Sequence, residues 1–352
     1  MKAFVTSFAL LGVLLGCGSS DAPTAATYTP PVVPFLETVP YALLGSGKVA
    51  FERIGGNGGY NAVYVIDATA ASSTHALDDS LIWGAAISPD GLRLAYSAYS
   101  GNATLFDVYV ANIDGTGVQH ATRFAQQEGP PSWTPDGAKI VVAAGAAGTL
   151  FYDVYSQSPV ANPGDLTKLT HFALGTGGAL DCPIIFDNHE PVAISTRGEL
   201  AFACSYGEID VLSPNGTPSA SYLPTRNDRR HWTNVFSPSW SPDGTRLAFV
   251  ETTSDSATNY SEIGLAVKVM NADGSNVTTI TTSAGSNATV NGNWLGANNL
   301  SLCWMPDGSR LVFNLPESAL IGHLWVVRAD GTGLAQLTSA PGAYDRGVSC
   351  SG

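Results

Sequence analysis

Short runs in which apolar and polar residues alternate follow one another along this chain, and Gly, Pro, Asn or Asp interrupts them at close intervals. Residues 239–250, SWSPDGTRLAFV, show the unit. A short run closes on Trp240, Ser-Pro-Asp-Gly follows, and TRLAFV alternates before ending in residues that favour strands. In Ser-Pro-Asp-Gly the proline presets φ for the second position of a type I turn, serine suits the first and glycine the last. The pattern predicts a hairpin. It recurs as SWTPDGAKIVVA from Ser132, CWMPDGSRLVFN from Cys303 and AISPDGLRLAYS from Ala86.

No segment carries the period of a long amphipathic helix. With 352 residues, 44% apolar and 13% charged, the chain can bury a large core, and its 38 glycines and 21 prolines favour turns over helices. The expectation is an all-β fold.

The aspartates of the four strong turns, Asp90, Asp136, Asp243 and Asp307, set a repeat. Two eroded copies join them, ISTRGELAF with Arg197 at the anchor and LGSGKVAF with Ser46, and the successive steps are 44, 46, 61, 46 and 64 residues. A second hairpin signal follows at Asp114, Asn215, Asp273 and Asp330, where Asx-Gly separates two β runs. Four strands per unit and units of about 40–50 residues predict propeller blades. Six anchors predict six antiparallel blades. One step of 46 beyond Trp304 falls on Cys350, where an inner strand would begin, while KVAFERI and AVYVIDA read as second and third strands without a first. The C-terminal strand is therefore expected to complete the first blade and close the ring, leaving no exposed sheet edge.

The first residues read as targeting rather than fold. Lys2 gives a positive start, and AFVTSFALLGVLL is too short for a comfortable membrane span. The run ends in LLGC, which resembles the lipobox of bacterial lipoproteins, where cleavage precedes the cysteine and the cysteine is lipidated. The resemblance implies a signal peptide over 1–16, a lipidated Cys17 with a flexible tether over 17–40, and a single propeller domain over 41–352. An ordinary secretory peptide with a chance cysteine is the alternative. Gly18 in place of aspartate implies, by resemblance to sorted lipoproteins, an outer-membrane lipoprotein of a Gram-negative-type bacterium, with the periplasmic side favoured over the cell surface. Loss of residues 1–16 removes Lys2 and no acid, so 15 basic and 29 acidic residues remain, a net charge of −14. That field disfavours nucleic acid and anionic lipid as partners.

The strings W-S/T/M-P-D-G-x-x-L/I-x-F and DG-x-x-x-x-x-L-T resemble the WD40-like (PD40) repeats of TolB-type propellers, most fully in WMPDGSRLVF and VVRADGTGLAQLT. The resemblance spans about residues 45–352. It implies the fold strongly and the function weakly. Some propellers of this kind carry a hydrolase domain, for which the repeats leave no residues here.

Both tight turns of a blade lie on one face of the disc, so the long insertions, from Thr170, Leu223, Thr252 and Thr282, project from the other. Elaboration of one face alone suggests binding. Within it, RNDRRHW gathers Arg226, Arg229 and Arg230 beside His231 and Trp232, a candidate site for an acidic segment or anionic ligand. A solvated loop paired with the protein's own acids is the competing reading. Glu128, His189, Glu190, Asp345 and Arg346 stand just before inner strands and are candidates for a polar ring at the channel mouth. His189 and Glu190 lack the spacing of a metal site, so no metal and no other cofactor is expected. His75, His120, His171 and His323 are scattered, and read as loop or core histidines. Trp133, Trp240 and Trp304 recur at the blade period, as core packing does.

No Gly-x-Ser-x-Gly elbow, phosphate loop or HExxH occurs. An enzyme is unsupported rather than excluded. The sequence favours a monomeric, lipid-anchored envelope propeller that binds or scaffolds an envelope protein or peptide segment and meets the membrane only through its lipid. The rival is a polysaccharide-binding or polysaccharide-cleaving propeller using Glu128, Glu190 and Asp345 at the pore. Apart from Cys17, four cysteines remain. The blade alignment pairs Cys182 with Cys204 and Cys303 with Cys350, with four free thiols as the alternative.

Overall fold

The computed structural model describes residues 37–55, 62–78, 82–99, 106–122, 127–145, 153–160, 166–170, 191–204, 207–224, 231–255, 261–284, 300–318 and 321–351. Apart from one 3-10 turn at Tyr41–Leu43, every regular element among them is a strand. No helix among the described residues is long and apolar enough to cross a membrane.

The chain builds antiparallel sheets in sequence order. β1 (Lys48–Gly55), β2 (Ala62–Asp67) and β3 (Ser72–Asp78) come first, then β4 (Ile82–Ile87), β5 (Arg93–Tyr99), β6 (Phe106–Asn112) and β7 (Gln119–His120). The next inner strand is broken by Pro130 and Pro131 into β8 (Gln127–Glu128) and β9 (Ser132–Trp133). Both pieces pair with β10 (Ile140–Gly145), which leads to β11 (Asp153–Gln157) and β12 (Thr167–Lys168). Two four-stranded sheets follow: β13 (Ala193–Ile194), β14 (Leu200–Ala203), β15 (Ile209–Leu212) and β16 (Pro218–Tyr222), then β17 (His231–Trp240), β18 (Arg246–Asp255), β19 (Ser261–Asn271) and β20 (Thr278–Ala284). β21 (Leu302–Trp304), β22 (Arg310–Ser318), β23 (Ile321–Arg328) and β24 (Ala335–Gln336) form the last in-order group. β25 (Ala343–Ser351) then returns to the start of the chain and pairs antiparallel with β1, from Lys48↔Ser351 to Gly55↔Ala343.

The first turn of each sheet has the predicted chemistry. Gly91 N–H donates to the Ser88 carbonyl at 2.8 Å. The Asp90 carboxylate accepts from the Ser88 hydroxyl at 2.5 Å and from Leu92 N–H at 3.0 Å. Gly91 closes the turn at φ +68°, in the left-handed region that a side chain would strain. The same contacts recur around Asp136 and Asp243, and around Asp307 without the hydroxyl, since Met305 stands in the serine's place. In the eroded copy Glu199 takes the aspartate's place, accepting from Ser195 and Arg197.

Tryptophan before the turn clamps one sheet to the previous one. Trp133 Nε1–H donates to the Ala86 carbonyl at 3.1 Å, and the Arg93 guanidinium lies 4.6 Å from its ring centroid. Trp304 repeats this with the Ser239 carbonyl at 3.1 Å and Arg246 at 4.7 Å. Trp240 is equally buried, but its Nε1 has no partner among the described residues. Trp304→Phe is therefore expected to lower unfolding free energy by about 1–2 kcal/mol. Trp240→Phe deletes a donor with no described partner and should be close to neutral; urea denaturation of the two variants reads the difference.

Candidate functional site

A cavity of about 410 Å³ lies where the inner strands converge. Six short segments line it, drawn from residues 84–89, 130–135, 191–196, 237–242, 301–306 and 347–351. Five lead into or through a first turn, and the sixth is the end of β25. Three residues before each tryptophan or its equivalent stand Gly84, Pro130, Pro191, Ser237, Ser301 and Gly347. One residue before stand Ala86, Ser132, Ala193, Ser239, Cys303 and Ser349. Small side chains at both levels leave room for the channel. In a chain that is 13% charged, no described residue lining the cavity carries an ionisable side chain, the two cysteines being joined to each other.

Breaks in the inner strands shape this wall. Gly84, at φ +74°, sits at a register shift between β4 and β5. A Cβ there would lie 2.4 Å from the Pro130 side chain, so only glycine lets the neighbouring inner strand approach. Ser237 takes φ +51° at the corresponding shift in β17.

Serines tie the wall together around the channel. Ser97 Oγ donates to Gly129 O at 2.7 Å, Ser132 Oγ to Val192 O at 2.6 Å, and Ser237 Oγ to Leu300 O at 2.7 Å. Ser301 Oγ accepts from Val348 N–H at 3.1 Å, and Ser349 Oγ from Ile87 N–H at 3.0 Å. Arg197, donating to the Gly244 carbonyl, supplies the remaining link. Each sheet is thus polar-bonded to its neighbour at low cost in burial, since every hydroxyl has a partner.

Glu128 and Asp345, two of the acids expected at the channel mouth, are not among the described residues that line the cavity. Glu128 and Asp345 are both fully buried and face the preceding sheet. Glu128 Oε2 accepts from Val108 N–H at 3.0 Å and from the Thr122 hydroxyl. Asp345 Oδ2 accepts from the Thr338 hydroxyl at 2.5 Å. Those threonines close the L-T type ends of fourth strands, and each also accepts a third-strand N–H: Val108 at 2.7 Å and Leu324 at 2.9 Å. A carboxylate in such a place is a staple between successive sheets, because a buried charge persists only with converging donors. This corrects the placement of both residues in a polar ring.

Asp345 also receives Arg53, with Nε to Oδ1 at 2.6 Å and Nη2 to Oδ2 at 2.8 Å. Arg53 Nη2 reaches Glu37 Oε1 at 2.6 Å, and Glu37 Oε2 accepts from Ser339 N–H. His323 Nδ1 lies 4.0 Å from Asp345 Oδ2. Burial pushes the Asp345 carboxyl up, but the Arg53 hydrogen bonds, with His323, the Arg53 charge and Thr338, outweigh it and hold it below the usual carboxylate range. Arg346 Nε donates to Glu52 Oε2 at 3.0 Å, and Glu52 Oε1 accepts from Gly84 N–H. Burial raises Glu52 above its ordinary value despite Arg346 and Gly84. Arg346 therefore braces β1 and β25 against β4 instead of projecting into the channel.

Cys303 and Cys350 are joined by a disulfide, Cα–Cα 5.7 Å, on the cavity wall. Cys204 is also disulfide-bonded, to a partner outside the described residues. Its sulfur and the Glu208 and Asp210 carboxylates lie within 4.8 Å of one another, but the sulfur is engaged, so among the described residues the group offers two carboxylates. Burial, then Glu208, pushes Asp210 up to about 6. Cys17, Cys182, His189, Glu190, Arg226, Arg229 and Arg230 lie outside the described residues, as do the side chains of His231 and Trp232.

The histidines are less scattered than their numbering. His75 stands beside Tyr64, which stands beside Phe51; His120 stands beside Tyr109, beside Tyr96. Each histidine caps the same cross-strand aromatic ladder, with ring centroids 5.2 Å and 4.8 Å from its tyrosine. Aligning the third and fourth strands of successive repeats carries that signal.

Neither a family model nor a curated protein matches the chain. Among solved structures, TolB from Acinetobacter baumannii superposes with a TM-score of 0.62 at 16% identity, over 87% of this chain and 66% of that one. The fold is that of a TolB-like β-propeller. A TolB candidate from Agrobacterium tumefaciens gives 0.52 at 14% identity, over 86% of this propeller and 98% of its own length. The periplasmic gluconolactonase of Pseudomonas aeruginosa gives 0.52 at 11%, over 86% and 99%. The propeller spans just under two thirds of the Acinetobacter chain.

Proposed function

We propose that this propeller is a protein-binding module of the bacterial cell envelope, working through its loop-rich face and channel mouth. In this reading it has six four-stranded blades, β25 supplies the inner strand of the first, and that strand closes the ring. The six channel-lining segments and the β1–β25 pairing support the count and the closure. Residues 1–16 act as a signal peptide, and Cys17 carries the lipid. The tether runs to the point where Glu37 and Val39 begin to pack on the propeller. The anchored domain then hangs from the outer membrane on its periplasmic side, as a monomer.

One observation carries the reading. Glu128 and Asp345, two of the three carboxylates that a glycan-cleaving site would use, are buried away from the cavity and committed to neighbouring strands. What remains is a channel suited to holding something rather than cutting it. Arg226, Arg229, Arg230, His231 and Trp232 offer a second contact on the same face for an acidic stretch of the partner.

Affinity capture from detergent-solubilised envelopes tests this. A stoichiometric protein partner is expected; glycan retention without one would favour the polysaccharide reading. Arg229→Ala with Arg230→Ala should weaken that capture while leaving the melting temperature within a degree or two, since exposed charges contribute little to stability. Cys17→Ser should move the protein from the membrane fraction to the soluble one with its melting temperature unchanged. Retention of that variant on membranes in high salt would remove the anchor.

A further inference from the structure

We propose that Arg53 and Ser339 form a carboxylate-binding site at the seam where β25 meets β1, filled in the free protein by the chain's own Glu37 and taken by an acidic side chain of the partner on docking. The inference rests on the protein-binding reading and adds a residue class that the partner brings. Glu37 sits there as a ligand would. Arg53 Nη2 donates to its Oε1 at 2.6 Å, while Ser339 donates its N–H and, at 3.3 Å, its hydroxyl to Oε2. Both donors are set by groups other than Glu37. Arg53 is fixed by its two bonds to Asp345, at 2.6 and 2.8 Å, and by the Phe51 and Tyr64 rings, each centred 5.4 Å from its guanidinium. Ser339 follows Thr338, whose hydroxyl is held between Leu324 N–H and Asp345. Donors ordered in advance lose little freedom when a new acceptor arrives.

Glu37 is the one charged residue between Asp21 and Lys48, and its carboxylate makes the contacts that hold it. The main-chain hydrogen bonds described for residues 37–44 stay within that segment, from Tyr41 to Val39, Leu43 to Pro40 and Leu44 to Tyr41. Val39 and Leu44 are buried and anchor the segment, whereas Thr38, between Glu37 and Val39, is exposed. The carboxylate can therefore lift away while the rest stays packed. Ser339 belongs to the crossover from β24 to β25, and crossovers share the loop-rich face with the insertions. The site opens on the side that meets the partner.

The donor set selects a single carboxylate. A guanidinium N–H and a serine's N–H and hydroxyl, facing the two oxygens separately, match its planar fork. An incoming carboxylate replaces Glu37 charge for charge. A phosphate or sulfate would bring a second negative charge beside Asp345, which shares Arg53 Nη2, and toward Glu317, 3.9 Å from His323. A lysine or arginine would meet the Arg53 cation instead. As a tethered competitor Glu37 acts at an effective concentration on the order of millimolar, which a partner with further contacts on the same face overcomes.

Acetate is the probe, with chloride as the reference salt. Added to full-length Glu37→Ala, it is expected to raise the melting temperature by about one or two degrees more than it does in the native protein, because it refills the vacated donors. Envelope capture is run on the same two proteins. Glu37→Ala is expected to retain several-fold more of the partner, since its site is no longer occupied by the chain itself. Equal effects of acetate on the two proteins would show that no carboxylate site had been vacated, and would overturn the inference. An acetate-stabilised Glu37→Ala that captures no more partner than the native protein would also overturn it, leaving Glu37 as a clasp on the seam and the protein-binding reading intact. Capture of no protein by either would remove that reading, and the partner's carboxylate with it. Should Glu37→Ala not fold, Glu37→Gln, which keeps an oxygen for Ser339 but no charge for Arg53, carries the capture comparison: a gain supports the site and no gain overturns it.

Discussion

Asp345→Ala is expected to lower the unfolding free energy by about 3–5 kcal/mol, because it removes the bidentate carboxylate partner of the buried Arg53 guanidinium and leaves Glu37 as its acid among the described residues. Asp345 is fully buried and takes both Arg53 donors, the Thr338 hydroxyl and the field of His323. Its carboxyl is held below the ordinary range in the folded protein, so the stability it contributes is present above the unfolded carboxylate pKa and is lost as pH falls through the folded one. His323 has the opposite sign. The Asp345 carboxylate, 4.0 Å away, working against burial and joined by Glu317 and Glu37, raises its pKa. Its contribution is therefore complete below the unfolded histidine value and fades as pH rises through the raised one. Urea unfolding across pH should show the native protein losing stability at both ends of this window. Asp345→Ala should flatten both slopes, since the two groups share one network. Arg53→Met in the same background removes the buried cation and should recover part of the loss; no recovery would show that the penalty comes from packing instead.

Cys350→Ser should cost about 2–4 kcal/mol. The disulfide spans 47 residues and ties the inner strand β21 to β25, the strand that also pairs with β1. Closing a loop of that length restricts the unfolded chain by roughly 4 kcal/mol in the chain-entropy account, with measured values usually at or below that. The serines at the same wall, Ser301 and Ser349, hold the neighbouring strands by hydrogen bonds and should keep the variant folded. Cys303→Ser is expected to match Cys350→Ser, and the double variant to cost no more than either single, because one bond is removed in all three. Dithiothreitol added to the double variant then reads the separate contribution of the Cys204 bond. An additive double variant would mean that the two thiols stabilise by packing and not by their link.

The turns and strand order were legible because their chemistry is local. Ser-Pro-Asp-Gly writes its own hydrogen bonds within a few residues, and Arg197 with Glu199 shows how far the motif can erode before the turn is lost. The staples were harder to read. Thr122 precedes Glu128 by six residues and Thr338 precedes Asp345 by seven, a spacing visible in the sequence. Their meaning depends on the crossover between sheets, which brings the two residues together, and on burial, which turns a mouth carboxylate into a strut. Arg53 gave no local sign at all, since its acid lies 292 residues away. Glu52 and Gly84 are likewise joined only by the packing of one sheet on the next. The small, uncharged character of the channel wall was written in every repeat, at positions one and three before the tryptophan. It emerges only when the six segments are placed around one space.

Hydrogen exchange on the complex recovered from solubilised envelopes tests the central claim most directly. If the loop-rich face and channel hold the partner, backbone amides within 84–87, 132–133, 192–194, 239–241, 301–304 and 347–351 should exchange more slowly in the complex than in the free propeller. The outer strands β3, β16 and β20 should be unchanged. Protection confined to those outer strands or to the tight-turn face, with the inner segments exchanging as before, would contradict it.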